Sequence, residues 1–315
     1  MIMRTKIDVP RWICYVPHGI DENKYFPIDE LHSDYNKMIE FQKNFLKEFD
    51  PLFVIFFNNR NIRRKMPGDL ILSYKTFCDL LPKEESDRCL LLLHTQPIDD
   101  NGTDIPSVID ALCPMYKVRF TGGQMGYTEL NYFYNLADLT INIASNEGWG
   151  LSTTESLMAG TPILINVTGG LQDQARFTDE NGKWIDFDEN FSTNHAGKYV
   201  NHGEWCFPVF PKTRSVLGSP PTPYIFDDRC SWEDVAEELF KIYKLGRDER
   251  KRRGLLGREW AISDESMESA RKMGENFIKF IDYSLQNWKP RKRFELIDMK
   301  DVDFTSKPSG ILNKK

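Results

Sequence analysis

The chain has 315 residues, of which 40% are hydrophobic and 28% charged, with a formal net charge of −6. This is the make-up of an ordinary soluble protein, long enough to bury one large core or two small ones without staples. The acidic balance argues against general nucleic-acid affinity, and no apolar run approaches the ~18 residues of a membrane span.

The first residues, Met-Ile-Met-Arg-Thr-Lys-Ile-Asp, lack the apolar core of an export signal. The cysteines stand at 14, 78, 89, 113, 206 and 230, none in Cys-x-x-Cys spacing, which argues against a zinc site or redox pair. Cys78, Cys89 and Cys113 sit in apolar runs and are expected as buried thiols in a reducing, cytoplasmic compartment.

In chain order, residues 13–16 read as a short strand. Residues 34–49 read as a helix, with Met38, Ile39, Phe41, Phe45, Leu46 and Phe49 near a 3.6-residue period. The apolar run 52–57 has the character of a strand buried on both faces. A helix is expected over 68–81, stopped by Pro82, then a buried strand over 89–93. Residues 105–112 suit a short helix with Pro106 in its first turn. Strands at 117–120, 139–143 and 162–166 alternate with helices at 128–137 and 151–159. That rhythm predicts an α/β fold, a Rossmann-like parallel sheet with helices on both faces.

Residues 171–230, rich in Asn, Asp, Gly and Pro, break the rhythm and read as an irregular insertion with a few short strands, one of them near 204–209. Helices resume at 231–245, with Ser231 as N-cap, and at 264–288. The expected division is a linker-like segment at 1–30, a domain at 31–288 and a polar tail at 289–315. Of the basic clusters, 247–253 and 289–293 read as solvated surface.

The turn after the 139–143 strand runs Glu147-Gly-Trp-Gly-Leu-Ser-Thr-Thr-Glu155. Gly148 and Gly150 flank Trp149 just before a helix, so the backbone can approach a ligand closely. Unpaired N–H groups at the helix start, from Leu151 onward, favour an anion. The helix dipole contributes only ~0.3–1 kcal/mol, so a diphosphate there needs further support. Glu147 and Glu155 can face one crevice at the carboxyl ends of the strands and accept pairs of hydrogen bonds from sugar hydroxyls, or can simply mark a helix start.

Arg60 and Lys65 follow the 52–57 strand and can clamp phosphate oxygens from the opposite side, or belong to a solvated basic loop. Phe120-Thr-Gly-Gly-Gln-Met-Gly126 puts Gly122, Gly123 and Met125 at another strand end, where backbone groups can read a nucleobase or merely make a tight turn. Gly169 and Gly170 follow the next strand and can admit a sugar. Val16-Pro-His-Gly-Ile-Asp21 with Phe26-Pro27 looks like a linker. His94 ends a buried strand on the ligand side and reads as a structural histidine or a substrate contact.

Taken in order, Pro-His-Gly-Ile-Asp with Phe-Pro, Arg60-x4-Lys65, Phe-Thr-Gly, Glu-Gly-Trp-Gly-Leu with Glu-x7-Glu, Gly-Thr-Pro and Gly-Gly resemble the donor-binding C-terminal half of GT-B glycosyltransferases. The likeness is greatest to the retaining family 4, over residues 12 to 260 outside the insertion, with a looser similarity to a phage-like branch. The resemblance implies a nucleotide-diphosphate sugar as donor. Arg60 and Lys65 would bind its diphosphate and Glu155 its ribose. Glu147 with Gly148, Trp149, Gly150 and Leu151 would hold sugar and phosphates, and the Gly122–Met125 turn would meet the base. Transfer would retain configuration and need no metal; neither Asp99-Asp100 nor Asp227-Asp228 has a metal-binding setting.

In the family an acceptor-binding domain precedes the Pro-His-Gly-Ile-Asp linker, and here only about 15 residues do. The expectation is a donor site whose acceptor site comes from a partner chain, or from the 171–230 insertion and the tail, across a homo-oligomer. The alternative is a nucleotide-sugar-binding module that is inactive without a partner.

Overall fold

A computed structural model describes residues 14–185, 193–219 and 222–289. The chain divides into two compact units, residues 1–276 and 277–315, and the described part of the second is chiefly the end of one helix.

The first unit is built on a six-stranded parallel sheet, β1 (Phe53–Asn58), β2 (Cys89–His94), β3 (Val118–Phe120), β4 (Leu139–Asn142), β5 (Ile163–Asn166) and β6 (Cys206–Val209). The strand order is β3-β2-β1-β4-β5-β6. This is the doubly wound arrangement, in which the chain starts in the middle, runs to one edge, and returns to build the other half. The order reverses between β1 and β4, where the loops after these two strands part and leave a crevice.

The continuous apolar runs that signalled β1 and β2 are explained by cover on both faces. Phe53, Ile55 and Phe57 join a core with α2 (Pro67–Asp79), which a short α3 (Lys83–Ser86) follows in the chain, and with α4 (Ile105–Leu112) and α8 (Trp232–Lys244). Val54 and Phe56 join a second core with α5 (Tyr127–Leu136), α6 (Leu151–Met158), α7 (Leu171–Ala175) and α9 (Arg247–Ile262). Cys78, Cys89 and Cys113 are fully buried, as expected. Helix α4 begins with Pro106 in its first turn and Asp104 as its cap, and Ser231 caps α8 by accepting from Asp234 N at 3.1 Å.

Several local expectations are corrected. Residues 14–16 form no strand; the nearby backbone pairing is a single parallel bridge between Ile20 and Ser269. The helix expected over 34–49 is α1 (Tyr35–Leu46), and the one expected from 264 is α10 (Ala270–Asn287). The stretch 171–230 is not wholly peripheral: it contains α7 and β6, and β6 pairs with β5 to complete the sheet. Pro208 within β6 is tolerated because β6 is an edge strand. The same stretch adds an antiparallel pair, β7 (Thr213–Ser219) and β8 (Thr222–Arg229).

The cluster 247–253 is also corrected. It starts α9, and Arg250 is 3% exposed, bonding Asp138 at 2.9 Å and the carbonyl of Tyr243 at 3.0 Å. Charge alone did not distinguish this inward arginine from its solvated neighbours. Residues 290–293 lie outside the described residues.

Two carboxyls, one half-buried and one buried, lie where α7 meets the segment before α10. The Tyr15 hydroxyl donates to Asp173, whose carboxyl burial pushes up to about 6. Glu268 is 1% exposed, and burial, reinforced by the charge of Asp173, pushes it up to about 8. A carboxyl raised in the folded state keeps a proton that the unfolded chain has released, so stability falls as pH rises from the ordinary 4.5 towards 8. The expected loss over this window is on the order of 3 kcal/mol. Glu268→Gln should remove most of this slope, which denaturant unfolding between pH 5 and 8 would show; an unchanged slope would exclude Glu268 as its source.

Candidate functional site

At the β1–β4 switch point lies a cleft of about 470 Å³ lined by His18, Asn58, Asn59, Arg60, Lys65, Glu147, Trp149, Gly150, Leu151, Ser152 and Glu155. Its two walls are the loop after β1 and the turn from β4 into α6.

The β1 loop is held in place by Asn61, which is fully buried. Its amide donates to the carbonyls of Thr103 at 2.7 Å and Gln96 at 3.1 Å, and its side-chain oxygen accepts from Thr103 N at 3.1 Å. A short 3₁₀ turn, Arg63–Lys65, then aims Lys65 inward, where it is 7% exposed and ion-paired with Glu147. Arg64 approaches the same Glu147 oxygen at 3.3 Å and donates to the carbonyl of Asn146 at 2.7 Å. Burial disfavours the Glu147 anion, but Lys65 and Arg64 together outweigh it and hold the carboxyl below the usual carboxylate range. Burial pulls the Lys65 ammonium below its ordinary value, opposed by Glu147.

On the other wall, Gly150 caps α6 at φ +92, a conformation open to glycine, and a Cβ there would meet Leu171 Cδ2 at 2.7 Å. Trp149 is clamped: its Nε1 donates to Thr154 Oγ1 at 2.9 Å, and its carbonyl accepts from Gln174 at 2.7 Å. The His18 ring meets it edge-on at 6.1 Å between centroids. Ser152 Oγ and Asn59 Nδ2 are buried and have no hydrogen-bond partner among the described residues. Two polar atoms left unsatisfied in one cleft are what a bound polar ligand would pair.

Deeper in, Glu155 Oε2 accepts from the Tyr134 hydroxyl at 2.7 Å and from Asn58 Nδ2 at 3.3 Å. Burial raises the Glu155 carboxyl above its ordinary value, against the stabilising bonds of Tyr134 and Tyr25.

Of the residues singled out by sequence, Arg60, Lys65, Glu147, Trp149, Gly150, Leu151 and Glu155 line this one cleft, and Gly148 lies between two of them. Arg60 is 63% exposed and paired with Asp99 at 3.1 Å, so reaching a ligand means sharing or leaving that carboxylate. Gly169 and Gly170 lie behind the cleft wall, where Gly170 N donates to the Glu147 carbonyl at 3.1 Å. Gly122 and Gly123 are exposed on the β3–α5 turn, and Met125 packs against the core below; these three are outside the cleft lining. Sequence reading missed Arg64, Asn58, Asn59 and Ser152, and saw His18 only as part of a linker. Arg64 was visible as one basic residue among several, but only the turn geometry singles it out.

The comparisons with known proteins bear on the family and the fold. Residues 107–193 match the model of the family Glycosyl transferases group 1. The match takes in α5, the Glu147–Glu155 turn and the Gly169–Gly170 pair. A glycosyltransferase of Methanocaldococcus jannaschii, itself uncharacterised, is 25% identical over 146 residues, covering 45% of this chain and 35% of that protein. Among solved structures, a glycosyltransferase from Rickettsia africae matches with a TM-score of 0.58 at 15% identity, over 87% of this chain and 57% of that one. Sucrose-phosphate synthase from Thermosynechococcus elongatus matches with a TM-score of 0.57 at 15% identity, over 86% and 52%. HepE of Anabaena, solved with UDP-glucose, matches with a TM-score of 0.56 at 14% identity, over 85% and 57%. These structural likenesses establish the Rossmann-like fold of GT-B glycosyltransferases. The chain spans about a third of the curated relative and just over half of the solved chains.

Proposed function

We propose that this chain is a retaining glycosyltransferase of family 4 type that takes a nucleotide-diphosphate sugar as donor. The observation that carries the reading is the convergence of Lys65, Arg64, Glu147, Glu155 and the α6 N-terminus on one cleft at the switch point. The diphosphate would lie between Lys65 and Arg60 and the free N–H groups of α6, with Ser152 and Asn59 supplying the bonds they lack. Glu155 would take the ribose hydroxyls. Glu147, with the backbone from Gly148 to Leu151, would hold the sugar.

In the transfer step, the bond from the anomeric carbon to the diphosphate oxygen breaks. A new bond from an acceptor hydroxyl forms on the same face, and the acceptor proton passes to the leaving phosphate. Lys65 and Arg60 stabilise the charge developing on that phosphate, the work a metal ion does elsewhere, so we propose metal independence. Residues outside the cleft would hold the acceptor, whether on a partner chain, a second copy or another part of the protein.

A second reading, a nucleotide-sugar-binding module inactive without a partner, is favoured by one feature: the groups lining the cleft are accounted for by the donor. The six cysteines are unpaired and five are buried, which supports a reducing, cytoplasmic setting. Among the described residues no helix is long and apolar enough to cross a membrane.

The deciding assay follows donor consumption with and without EDTA and candidate saccharide acceptors, with NMR of the product anomer. EDTA-resistant transfer with retained configuration is the expected result; inversion or loss of activity in EDTA contradicts it. Binding without turnover supports the module.

Donor affinity should also depend on pH. The raised Glu155 carboxyl takes up its proton at a pH above the ordinary 4.5, and the protonated form accepts fewer hydroxyl bonds. Affinity should therefore fall on acidification with a midpoint above 4.5. Tyr134→Phe, which removes a bond to the charged form, should move the midpoint higher. A midpoint at or below the ordinary value would count against Glu155 as the ribose ligand.

A further inference from the structure

One motif left over from the sequence, the histidine ending β2, acquires a setting in the fold. Along β1, Phe53, Ile55 and Phe57 face one core and Val54 and Phe56 the other. By the same alternation Asn58 belongs to the second face. Along β2, Cys89, Leu91 and Leu93 face the first core and Leu90 and Leu92 the second, so His94 belongs with Asn58. The two are register partners in adjacent parallel strands. His94 Nδ1 lies 2.6 Å from Thr121 Oγ1, which follows β3. A row therefore crosses the carboxyl end of the sheet on one face: Glu155, Asn58, His94, Thr121. With strands ~4.8 Å apart, His94 stands one strand beyond the Asn58 that touches Glu155, and Thr121 one strand further.

This inference rests on the donor reading above. With the diphosphate between the β4 and β1 loops and the ribose at Glu155, the nucleobase extends over β2 and β3. Beside Thr121, Gly122 at φ +102 and Gly123 have nothing within 4 Å of where a Cβ would stand, which leaves open space at the end of the row. We infer that His94, oriented by Thr121, reads the nucleobase and selects one bearing a ring carbonyl, uracil or guanine, over adenine.

The hydrogen-bond direction gives this selection its chemistry. Thr121 is 8% exposed, and its hydroxyl hydrogen needs an acceptor. Donation to Nδ1 satisfies it and places the imidazole hydrogen on Nε2. Burial keeps the ring neutral by lowering its proton affinity. A neutral imidazole of this tautomer presents one N–H donor, which pairs with O4 of uracil or O6 of guanine and meets instead the amino group, itself a donor, that adenine carries at that position.

The test is calorimetric titration of UDP, GDP and ADP, with inorganic pyrophosphate as a base-free probe, into wild type, His94→Ala and Thr121→Val. The wild type should prefer UDP or GDP to ADP by about tenfold, the worth of one well-placed hydrogen bond. His94→Ala should bring the ratio to within about twofold and leave pyrophosphate affinity unchanged. Thr121→Val, which frees the tautomer, should lower the preference part-way, and serves alone should His94→Ala fail to fold. An undiminished base preference in the variants overturns the role of His94 while the donor reading stands. Failure of every diphosphate to bind wild type overturns both.

Discussion

Lys65→Ala is expected to lower nucleoside-diphosphate affinity about a hundredfold, the worth of one to two charge-assisted bonds to phosphate, and to destabilise the fold at the same time. The second effect follows from Glu147, which is 9% exposed and bound by Lys65 and Arg64. Removing one partner of a buried ion pair leaves a charge with less compensation, at a cost of about 3 kcal/mol. Arg64 remains 3.3 Å away and keeps the cost towards the low end. The two effects separate in the double variant Lys65→Met with Glu147→Gln. With both charges of the pair gone the fold should regain most of its stability, since no uncompensated buried charge of the pair remains. Diphosphate binding should stay lost. Recovery of binding in this variant would show that Lys65 acts only as the structural partner of Glu147.

Gly170→Ala should be nearly as damaging, by a different route. The backbone there has an ordinary φ of −68, so alanine brings no conformational strain. Its Cβ, however, would lie 2.3 Å from the Gly148 carbonyl oxygen and 2.8 Å from Trp149 Cα. Both are backbone atoms of the cleft wall and cannot swing aside. The expected cost is about 2–3 kcal/mol, with donor affinity lost as the Gly148–Gly150 turn is pushed out of place. Gly68→Ala is the matched control: with nothing within 4 Å of its Cβ, it should change stability by less than about 1 kcal/mol. Urea unfolding of the two variants beside wild type would reveal the difference; equal stabilities would mean that the two loops do not depend on this close approach.

These cases also show how far the sequence carries. The apolar runs of β1 and β2 mark a sheet covered on both sides, and the paired glutamates around a Gly-Trp-Gly turn mark the cleft at the switch point, because burial and close approach leave a local signature. Gly169 and Gly170 were legible as close-approach positions, but not what approaches them: the structure puts the Glu147 and Gly148 carbonyls against them instead of an open sugar subsite. Strand β6 was legible as a short strand near 204–209, but not its place in the sheet, because pairing with β5 is a long-range contact and an edge strand of four residues with a proline carries little signal. Helix α9 shows the opposite failure, a run of charges that reads as surface yet turns Arg250 inward to Asp138. The Asn58–His94–Thr121 row is invisible in sequence because it depends on which strands are neighbours and in what register.

The central claim is that the cleft holds a nucleoside diphosphate between the β1 loop and α6. Its most direct test is titration of nucleoside diphosphates into the wild type and into the Lys65→Met, Glu147→Gln double variant, with folding of both confirmed beforehand. Saturable one-to-one binding to the wild type by at least one diphosphate, weakened about a hundredfold in the double variant, is the result predicted here. Binding that is equally strong in the variant, or absent from the wild type for every diphosphate, would contradict it.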